Sequence, residues 1–152
     1  MFRYVHTNII AKDANRLIGF YKTVFHCENI NGTRDLRGEW LDKLTGLSEA
    51  HITGEHLLLP GYNNEHPTLE IFSYDTLKKA IPAEINRPGI AHIAFEVDDV
   101  EATLKEVIKA GGSAVGEVVT ADYPDGTQAV FVYAKDPEGN IIELQNWRKI
   151  KD

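Results

Sequence analysis

Residues 88–102, PGIAHIAFEVDDVEA, place a histidine at the start of an apolar strand and an aspartate shortly after the strand ends. Residues 4–16, YVHTNIIAKDANR, have the same layout, and in both stretches the histidine, His6 or His92, precedes the aspartate by seven residues. A lone histidine in a half-buried strand is usually a packing residue. Because the pattern occurs twice, it indicates an internal repeat.

Each aspartate is followed by a predicted helix. Asp13 and Asp99 are of the residue type that caps helix N-termini, and apolar residues recur after both at helical spacing. Gly111 and Gly112 end the second pattern, as expected of a helix C-terminus. The apolar positions are Leu17, Ile18, Tyr21, Val24 and Phe25 in the first helix, and Val100, Leu104, Val107 and Ile108 in the second.

The two halves also end alike. Residues 65–75, EHPTLEIFSYD, and residues 135–147, KDPEGNIIELQNW, are each a proline-bearing turn followed by a strand that carries one glutamate, Glu70 or Glu143. Other strand-like runs precede these turns, at residues 56–59, 114–119 and 129–133. The sequence therefore predicts an α+β chain of two similar modules, about 1–80 and 88–150, each with a strand, a helix and about three further strands.

Strand periodicity predicts which side chains share a face, since alternate residues point to opposite sides of a strand. The four opening and closing strands each carry a histidine or a glutamate on the less apolar face: His6, Glu70, His92 and Glu143. Two imidazoles and two carboxylates form a donor set for one divalent ion, which could be Ni²⁺, Co²⁺, Zn²⁺, Mn²⁺ or Fe²⁺. Asn8 shares the face of His6, so it either contacts a bound ligand or is a solvated strand residue.

Composition excludes several partners. The formal net charge of −7 argues against nucleic acid and anionic membranes, and no apolar run approaches the length of a membrane span. Cys27 is the only cysteine, which fits a reducing cytoplasm, and its place beside an apolar helix end predicts a small buried residue. The N-terminus lacks the pattern of a secretory signal, so we expect a cytoplasmic protein.

Four segments of the chain resemble the vicinal oxygen chelate superfamily, which contains glyoxalase, bleomycin-resistance and extradiol dioxygenase proteins. They are HTNIIAKDANRLIGFYKTVF (6–25), TLEIF (68–72), HIAFEVDDVEATLKEVIKAGG (92–112) and DPEGNIIEL (136–144). The resemblance covers most of the chain, and residues 34–50 are the part without a clear counterpart.

The resemblance implies paired βαβββ modules that form a cupped mixed sheet around a metal site. The family's ligand positions fall on His6, Glu70, His92 and Glu143. The implied activity is that of a metal-dependent lyase or isomerase of the glyoxalase type, which moves a proton next to a carbonyl through a chelated enediolate. The substrate would be a small molecule with neighbouring oxygens. Glu143 is the first choice of general base and Glu70 the second, and the family implies a homodimer.

The type of enzyme stays open. Residues 87–104 are similar to methylmalonyl-CoA epimerases, whereas residues 136–147 are similar to the broader lyase and dioxygenase type. Epimerases often carry glutamine at the position of Glu70, and a glutamate there is similar to glyoxalase I.

Two other function classes remain open as well. With Glu70 turned away, His6, His92 and Glu143 would form a triad suited to Fe²⁺ and oxygen chemistry, as in extradiol dioxygenases. A non-catalytic protein of the bleomycin-resistance type would use the cup to sequester a ligand. The rival metal ligands in the first half are His51, His56 and His66, whereas His26 follows a helix end.

Overall fold

The computed structural model describes residues 1–150 and confirms the predicted α+β fold class. Strands and helices follow one another in the order β1(His6–Ile10), α1(Ala14–Phe25), β2(Glu28–Arg37), α2(Glu39–Thr45), β3(His51–Leu58), β4(Thr68–Tyr74), β5(His92–Glu96), α3(Val100–Lys109), β6(Ser113–Ala114), β7(Val119–Asp122), β8(Thr127–Lys135) and β9(Ile141–Lys149).

The chain divides into two compact units, residues 1–80 and the part from Ile81 onward, and each unit has its own mixed sheet. The first sheet has the order β1-β4-β3-β2, with β1 parallel to β4 and the other pairs antiparallel. The second has the order β5-β9-β8-β6, with β7 also paired to β8 and β5 parallel to β9. In both units the opening strand therefore lies at the sheet edge, beside the closing strand.

One face of the first sheet is covered by α1. Lys22 of this helix bonds Glu55 of β3, with Nζ 2.6 Å from Oε2, so α1 lies on the Glu55 side of the sheet. Leu57 and Ile71 point to that side and are fully buried. The residues that alternate with them, His56 and Glu70 among them, face the opposite side.

The second sheet follows the same rule. Ile142 and Leu144 of β9 are fully buried beneath α3, and Glu143 between them faces the other way. On α3 itself, Val100 and Val107 are buried as predicted, but Ile108 is half exposed and lies outside the buried face.

The segment 34–50, for which the sequence predicted no element, completes β2 and forms α2. Leu41 of α2 is 1% exposed and packs with Ile52 and Phe72. By strand alternation Ile52 shares a face with His56, and Phe72 shares one with Glu70. Helix α2 therefore covers one end of the face that carries Glu70.

Two further sequence predictions concern the Cys27 thiol and membrane-spanning helices. Cys27 is buried as predicted, and burial raises the pKa of its thiol to about 12. Of the helices in residues 1–150, none has the length and apolar character needed to cross a membrane.

Candidate metal centre

The first histidine–glutamate pair is made by neighbouring strands of one sheet. His6 opens the edge strand β1, and Glu70 lies on the adjacent strand β4. His6 Nε2 lies 3.4 Å from Glu70 Oε2. The parallel register of β1 and β4 aligns Asn8 with Glu70, which places His6 two residues away on the same face.

Glu70 is held from two more directions. Asn8 Nδ2 donates to Oε2 at 3.3 Å, and His56 Nε2 lies 2.7 Å from Oε1. His56 lies directly opposite Glu70 in the β3–β4 register. Burial lowers the pKa of His56 and so favours a neutral imidazole, while the negative charge of Glu70 opposes this effect. The Glu70 carboxylate, 9% exposed as a residue, therefore lies in contact with three polar side chains.

The second pair repeats the arrangement with different neighbours. His92 opens β5, Glu143 lies on the adjacent β9, and His92 Nε2 is 3.0 Å from Glu143 Oε2. Ala94 and Tyr133 occupy the positions beside Glu143 that Asn8 and His56 occupy beside Glu70. The Tyr133 ring packs on the His92 ring at 5.1 Å. Within residues 1–150, His92 is the only side chain at hydrogen-bond or ion-pair distance from Glu143.

Within each pair, the donor atoms are spaced as two ligands of one ion would be. Two ligands about 2.1 Å from a metal lie about 3.0 Å apart at a right angle and about 3.4 Å apart at the tetrahedral angle. The observed separations are 3.0 Å for His92–Glu143 and 3.4 Å for His6–Glu70. His92 presents Nε2 to Glu143, and its Nδ1 is buried without a hydrogen-bond partner in the described chain. Two imidazoles and two carboxylates fit a divalent ion.

Neither module offers a complete set of its own. Across residues 1–150, no group of three or more His, Cys, Asp or Glu side chains is arranged to hold a metal ion. The contact of His56 Nε2 with Glu70 Oε1, at 2.7 Å, is shorter than the spacing of two ligands at a right or tetrahedral angle. Each module therefore brings together one histidine–glutamate pair.

The other histidines are engaged elsewhere. His51 bonds Asp35 and Asp75, with Nε2 and Nδ1 each 2.9 Å from a carboxylate oxygen. His66 precedes β4 and bonds the Leu59 carbonyl through Nδ1 at 3.0 Å. His26 caps the C-terminus of α1 in the left-handed conformation, with φ 54°. These contacts account for three of the four histidines outside the predicted ligand set.

The role of His56 beside Glu70 is the feature that sequence reasoning missed, since it was considered only as a rival ligand. The register between β3 and β4 puts His56 opposite Glu70. These strands are joined by residues 59–67, a connection longer than the two-residue hairpin turns whose register the sequence can indicate.

A family comparison identifies the class of protein. The sequence profile of the Glyoxalase/Bleomycin resistance protein/Dioxygenase superfamily matches residues 3–144, and the chain belongs to this superfamily. No curated protein is significantly similar to the chain in sequence.

Solved structures show the same fold. A glyoxalase family protein from Bacillus cereus superimposes with a TM-score of 0.82 at 23% identity, over 97% of this chain and 95% of that one. A fosfomycin resistance protein from Listeria monocytogenes, in complex with Mn(II) and sulfate, gives 0.52 at 18% identity, over 96% and 91%. A glutamate-to-glutamine variant of glyoxalase I from Zea mays gives 0.64 at 22% identity, over 94% of this chain and 44% of that one.

Proposed function

We propose that this chain is a metal-dependent lyase or isomerase of the glyoxalase type, which moves a proton at a carbon next to a carbonyl. The observation that carries the proposal is the paired geometry. A histidine Nε2 and a glutamate Oε2 lie 3.4 Å apart in one module and 3.0 Å apart in the other, the spacing of two ligands of one ion. The ligands proposed are His6, Glu70, His92 and Glu143, donated by one chain or by two copies.

The substrate class follows from the number of donors. Four protein ligands would leave coordination positions on a bound divalent ion free for a substrate with two neighbouring oxygens. The chemistry supplied by a bound divalent ion is Lewis-acid stabilisation of the charge that develops on those oxygens. A structural neighbour, the fosfomycin resistance protein from Listeria monocytogenes, was solved in complex with Mn(II), and Ni²⁺, Co²⁺, Zn²⁺ and Fe²⁺ suit the same donors. Asn8, exposed on the His6 face, is proposed to contact the substrate.

The two carboxylates differ in a way that supports Glu143 as the general base. Glu70 is contacted by His56, Asn8 and His6, whereas His92 is the one side chain within residues 1–150 at ion-pair distance from Glu143. A base must leave its resting position to reach a proton of the substrate, and the carboxylate with fewer restraints does so at lower cost. We therefore assign proton transfer to Glu143 and a fixed ligand role to Glu70.

The dioxygenase alternative requires Glu70 to face away from the ion. The contact between Glu70 Oε2 and His6 Nε2 at 3.4 Å does not favour that arrangement, because it keeps the carboxylate beside the histidine. A ligand-sequestering protein would need no metal catalysis, and the presence of all four ligand types counts against it.

The first test is metal content. The purified chain should bind about one divalent ion per polypeptide, the number expected if two pairs build one site. His92→Ala should lose most of that metal, because it removes one ligand and unpairs Glu143. His66→Ala is the matched control, since His66 bonds a backbone carbonyl instead. Equal metal in His92→Ala and the parent, by elemental analysis and titration, would contradict the proposed site.

The second test separates the carboxylates. Solvent deuterium incorporation is measured with methylglyoxal hemithioacetals, methylmalonyl-CoA and catechols, each with Ni²⁺, Co²⁺, Zn²⁺, Mn²⁺ and Fe²⁺. At saturating metal, Glu143→Gln should slow exchange next to the carbonyl by about 10²- to 10⁴-fold, as expected for loss of a general base. Glu70→Gln should weaken metal binding and slow exchange less.

The outcomes of this second test distinguish the function classes. Oxygen uptake with a catechol and Fe²⁺, without solvent deuterium incorporation, would show that the protein is a dioxygenase. Tight binding without turnover under any metal would indicate sequestration.

A further inference from the structure

Arg34 of β2 lies on the face of the first sheet that carries the proposed metal ligand Glu70. It is paired with Gly54 in the β2–β3 register, and Gly54 is two residues from His56, which is paired with Glu70. Paired residues project to the same side of a sheet, and so do residues two positions apart on one strand. Arg34 therefore shares the Glu70 face, although it begins the segment 34–50, which has no clear counterpart in the family resemblance.

The guanidinium of Arg34 is a cation without a partner in the described part of the chain, where it makes no hydrogen bond or ion pair. The neighbouring carboxylates of β2 and β3 point to the opposite face by strand alternation. They are engaged there, since Asp35 bonds His51 and Glu55 bonds Lys22. The Arg34 side chain is also half-buried. A cation that is partly withdrawn from water gains from an anionic partner, and this face of the sheet supplies none beside it.

The charge of Arg34 acts on the surroundings of the proposed ligand. Burial has the largest effect on the pKa of His56 and lowers it, the Glu70 carboxylate raises it, and the positive charge of Arg34 lowers it further. His56 Nε2 in turn lies 2.7 Å from Glu70 Oε1. The paired residues next to Arg34 are apolar, because the ring of Phe72 lies over Gly54, where an added Cβ would be 2.8 Å from Phe72 Cδ1.

We propose that Arg34 binds an anionic group of the substrate, a carboxylate or a phosphate-like group, while two neighbouring oxygens of the same molecule bind the metal. This inference rests on the proposed metal site. Arg34 and Glu70 are two strands and two residues apart, about 12 Å between Cα atoms at ordinary sheet spacings, and both side chains are long. A guanidinium holds a carboxylate or a phosphate by two parallel hydrogen bonds. The substrate is therefore an anion whose charge lies a few bonds from its neighbouring oxygens.

The test uses hydroxamates, which chelate divalent ions through two neighbouring oxygens. Acetohydroxamate carries no further charged group, whereas malonomonohydroxamate and phosphonoacetohydroxamate add a carboxylate or a phosphonate at the same carbon. Each probe is titrated calorimetrically into the Co²⁺-loaded protein. The two anionic probes also distinguish the two sources of negative charge.

Three variants isolate the guanidinium, and thermal unfolding checks that each is folded. Arg34→Met removes the charge and keeps a long side chain, and Arg34→Lys keeps the charge without the two parallel donors. Arg16→Met is the matched control, because Arg16 is exposed on α1, which covers the opposite face of the sheet.

The parent should bind at least one anionic hydroxamate about 10- to 100-fold more tightly than acetohydroxamate, the range expected for hydrogen bonds to a charged group. Arg34→Met should abolish this preference and leave the affinity for acetohydroxamate unchanged. Arg34→Lys should keep part of the preference, and Arg16→Met should keep all of it.

The other outcomes overturn separate claims. No preference in the parent, or a preference that Arg34→Met and Arg34→Lys retain in full, would refute the anion site while leaving the metal site intact. A change in Co²⁺ affinity alone would mean that Arg34 only balances the charge of the site, which also refutes the proposal. Absence of Co²⁺ binding by the parent chain would overturn the proposed function, and this inference with it.

Discussion

Asp13 and Asp99 recur at the same distance after a histidine because each begins the helix that follows an opening strand. Asp13 Oδ1 accepts a hydrogen bond from the Arg16 backbone N–H at 3.0 Å, and Asp99 Oδ1 accepts one from Ala102 at 2.9 Å. Each carboxylate satisfies one of the N–H groups that a helix N-terminus leaves without a partner in the helix. The aspartates of the repeat are therefore structural, and the proposed metal ligands are the histidines and glutamates.

A second cluster of charged side chains, His51 with Asp35 and Asp75, lies away from the proposed site. Its ion pairs depend on pH. His51 of β3 joins Asp35 of β2 to Asp75, which follows β4. The hydrogen bonds to Asp75 and Asp35 raise the pKa of His51, and the nearby positive charge of Arg37 opposes this effect. The hydrogen bond from His51, followed by that from Arg37, lowers the pKa of Asp35.

These shifts fix the pH range in which the cluster stabilises the fold. A histidine with a raised pKa contributes stability that is complete below its ordinary pKa of 6.5 and lost as pH rises through the raised value. An aspartate with a lowered pKa contributes stability that is complete above 3.8 and lost as pH falls through the lowered value. Both contributions are therefore complete only between these two ordinary values.

His51→Gln should accordingly lose more free energy of unfolding at about pH 5 than at about pH 8.5, relative to the parent. Urea unfolding across this range measures the difference. Asp75→Asn should lower the His51 pKa in an NMR titration, since it removes the hydrogen bond with the largest effect. A pH-independent difference between His51→Gln and the parent would contradict the ion-pair account.

Among the elements, α2 has a defined structural role. Leu41 is 1% exposed and packs with Ile52 and Phe72 at one end of the face that carries Glu70. The backbones of β3 and β4 lie too close for a side chain at Gly54, since a Cβ added there would lie 2.0 Å from the Ile71 carbonyl oxygen. Helix α2 thus covers apolar strand residues that α1, on the opposite face of the sheet, does not reach.

Leu41→Ala should therefore reduce the free energy of unfolding by about 2–5 kcal/mol, the cost of a large-to-small change in a packed core. Leu44→Ala is the control from the same helix, because Leu44 is 75% exposed, and a change of no more than about 0.5 kcal/mol is expected. Urea unfolding of both variants tests the difference. Equal effects would mean that α2 does not pack as a core element.

The elements also show where sequence reasoning succeeds. In β9, apolar Ile142 and Leu144 alternate with Glu143, and burial follows that alternation. In β2 the polar sequence ENINGTRDLR has no such contrast, and its pairing with β3 is interrupted by a bulge between Ile30 and Thr33. This strand is specified by its hydrogen-bonded neighbour, which a local pattern does not reveal.

Some residues of the candidate site could likewise be predicted from the sequence, and others could not. Periodicity and the repeat indicated the two His–Glu pairs, because each residue is marked by its own strand. The partner of Glu70, His56, depends on the register between two strands, and register is fixed by tertiary pairing. The asymmetry between the two carboxylates was therefore accessible only from the structure.

At the scale of the whole molecule, both units leave their opening strand at a sheet edge. In the first unit this strand and the residues before it expose apolar side chains, with Val5 55% and Ile10 45% exposed. An unpaired edge with apolar side chains favours association with another module. Together with the resemblance to a family in which two-module chains commonly dimerise, this predicts a homodimer.

The mass in solution at micromolar concentration, measured by analytical ultracentrifugation, should be twice that of the 17.0 kDa chain, and a monomer would contradict the prediction. Coexpression of two defective chains tells whether one ion is held by one copy or by two. The first chain carries His6→Ala and Glu70→Gln, and the second carries His92→Ala and Glu143→Gln. In a shared site, the mixed dimer combines the intact pair of each chain and regains metal, whereas a site within one chain stays empty in every pairing. About one ion per chain is expected for the parent in both arrangements, so the mixed dimer is the measurement that separates them.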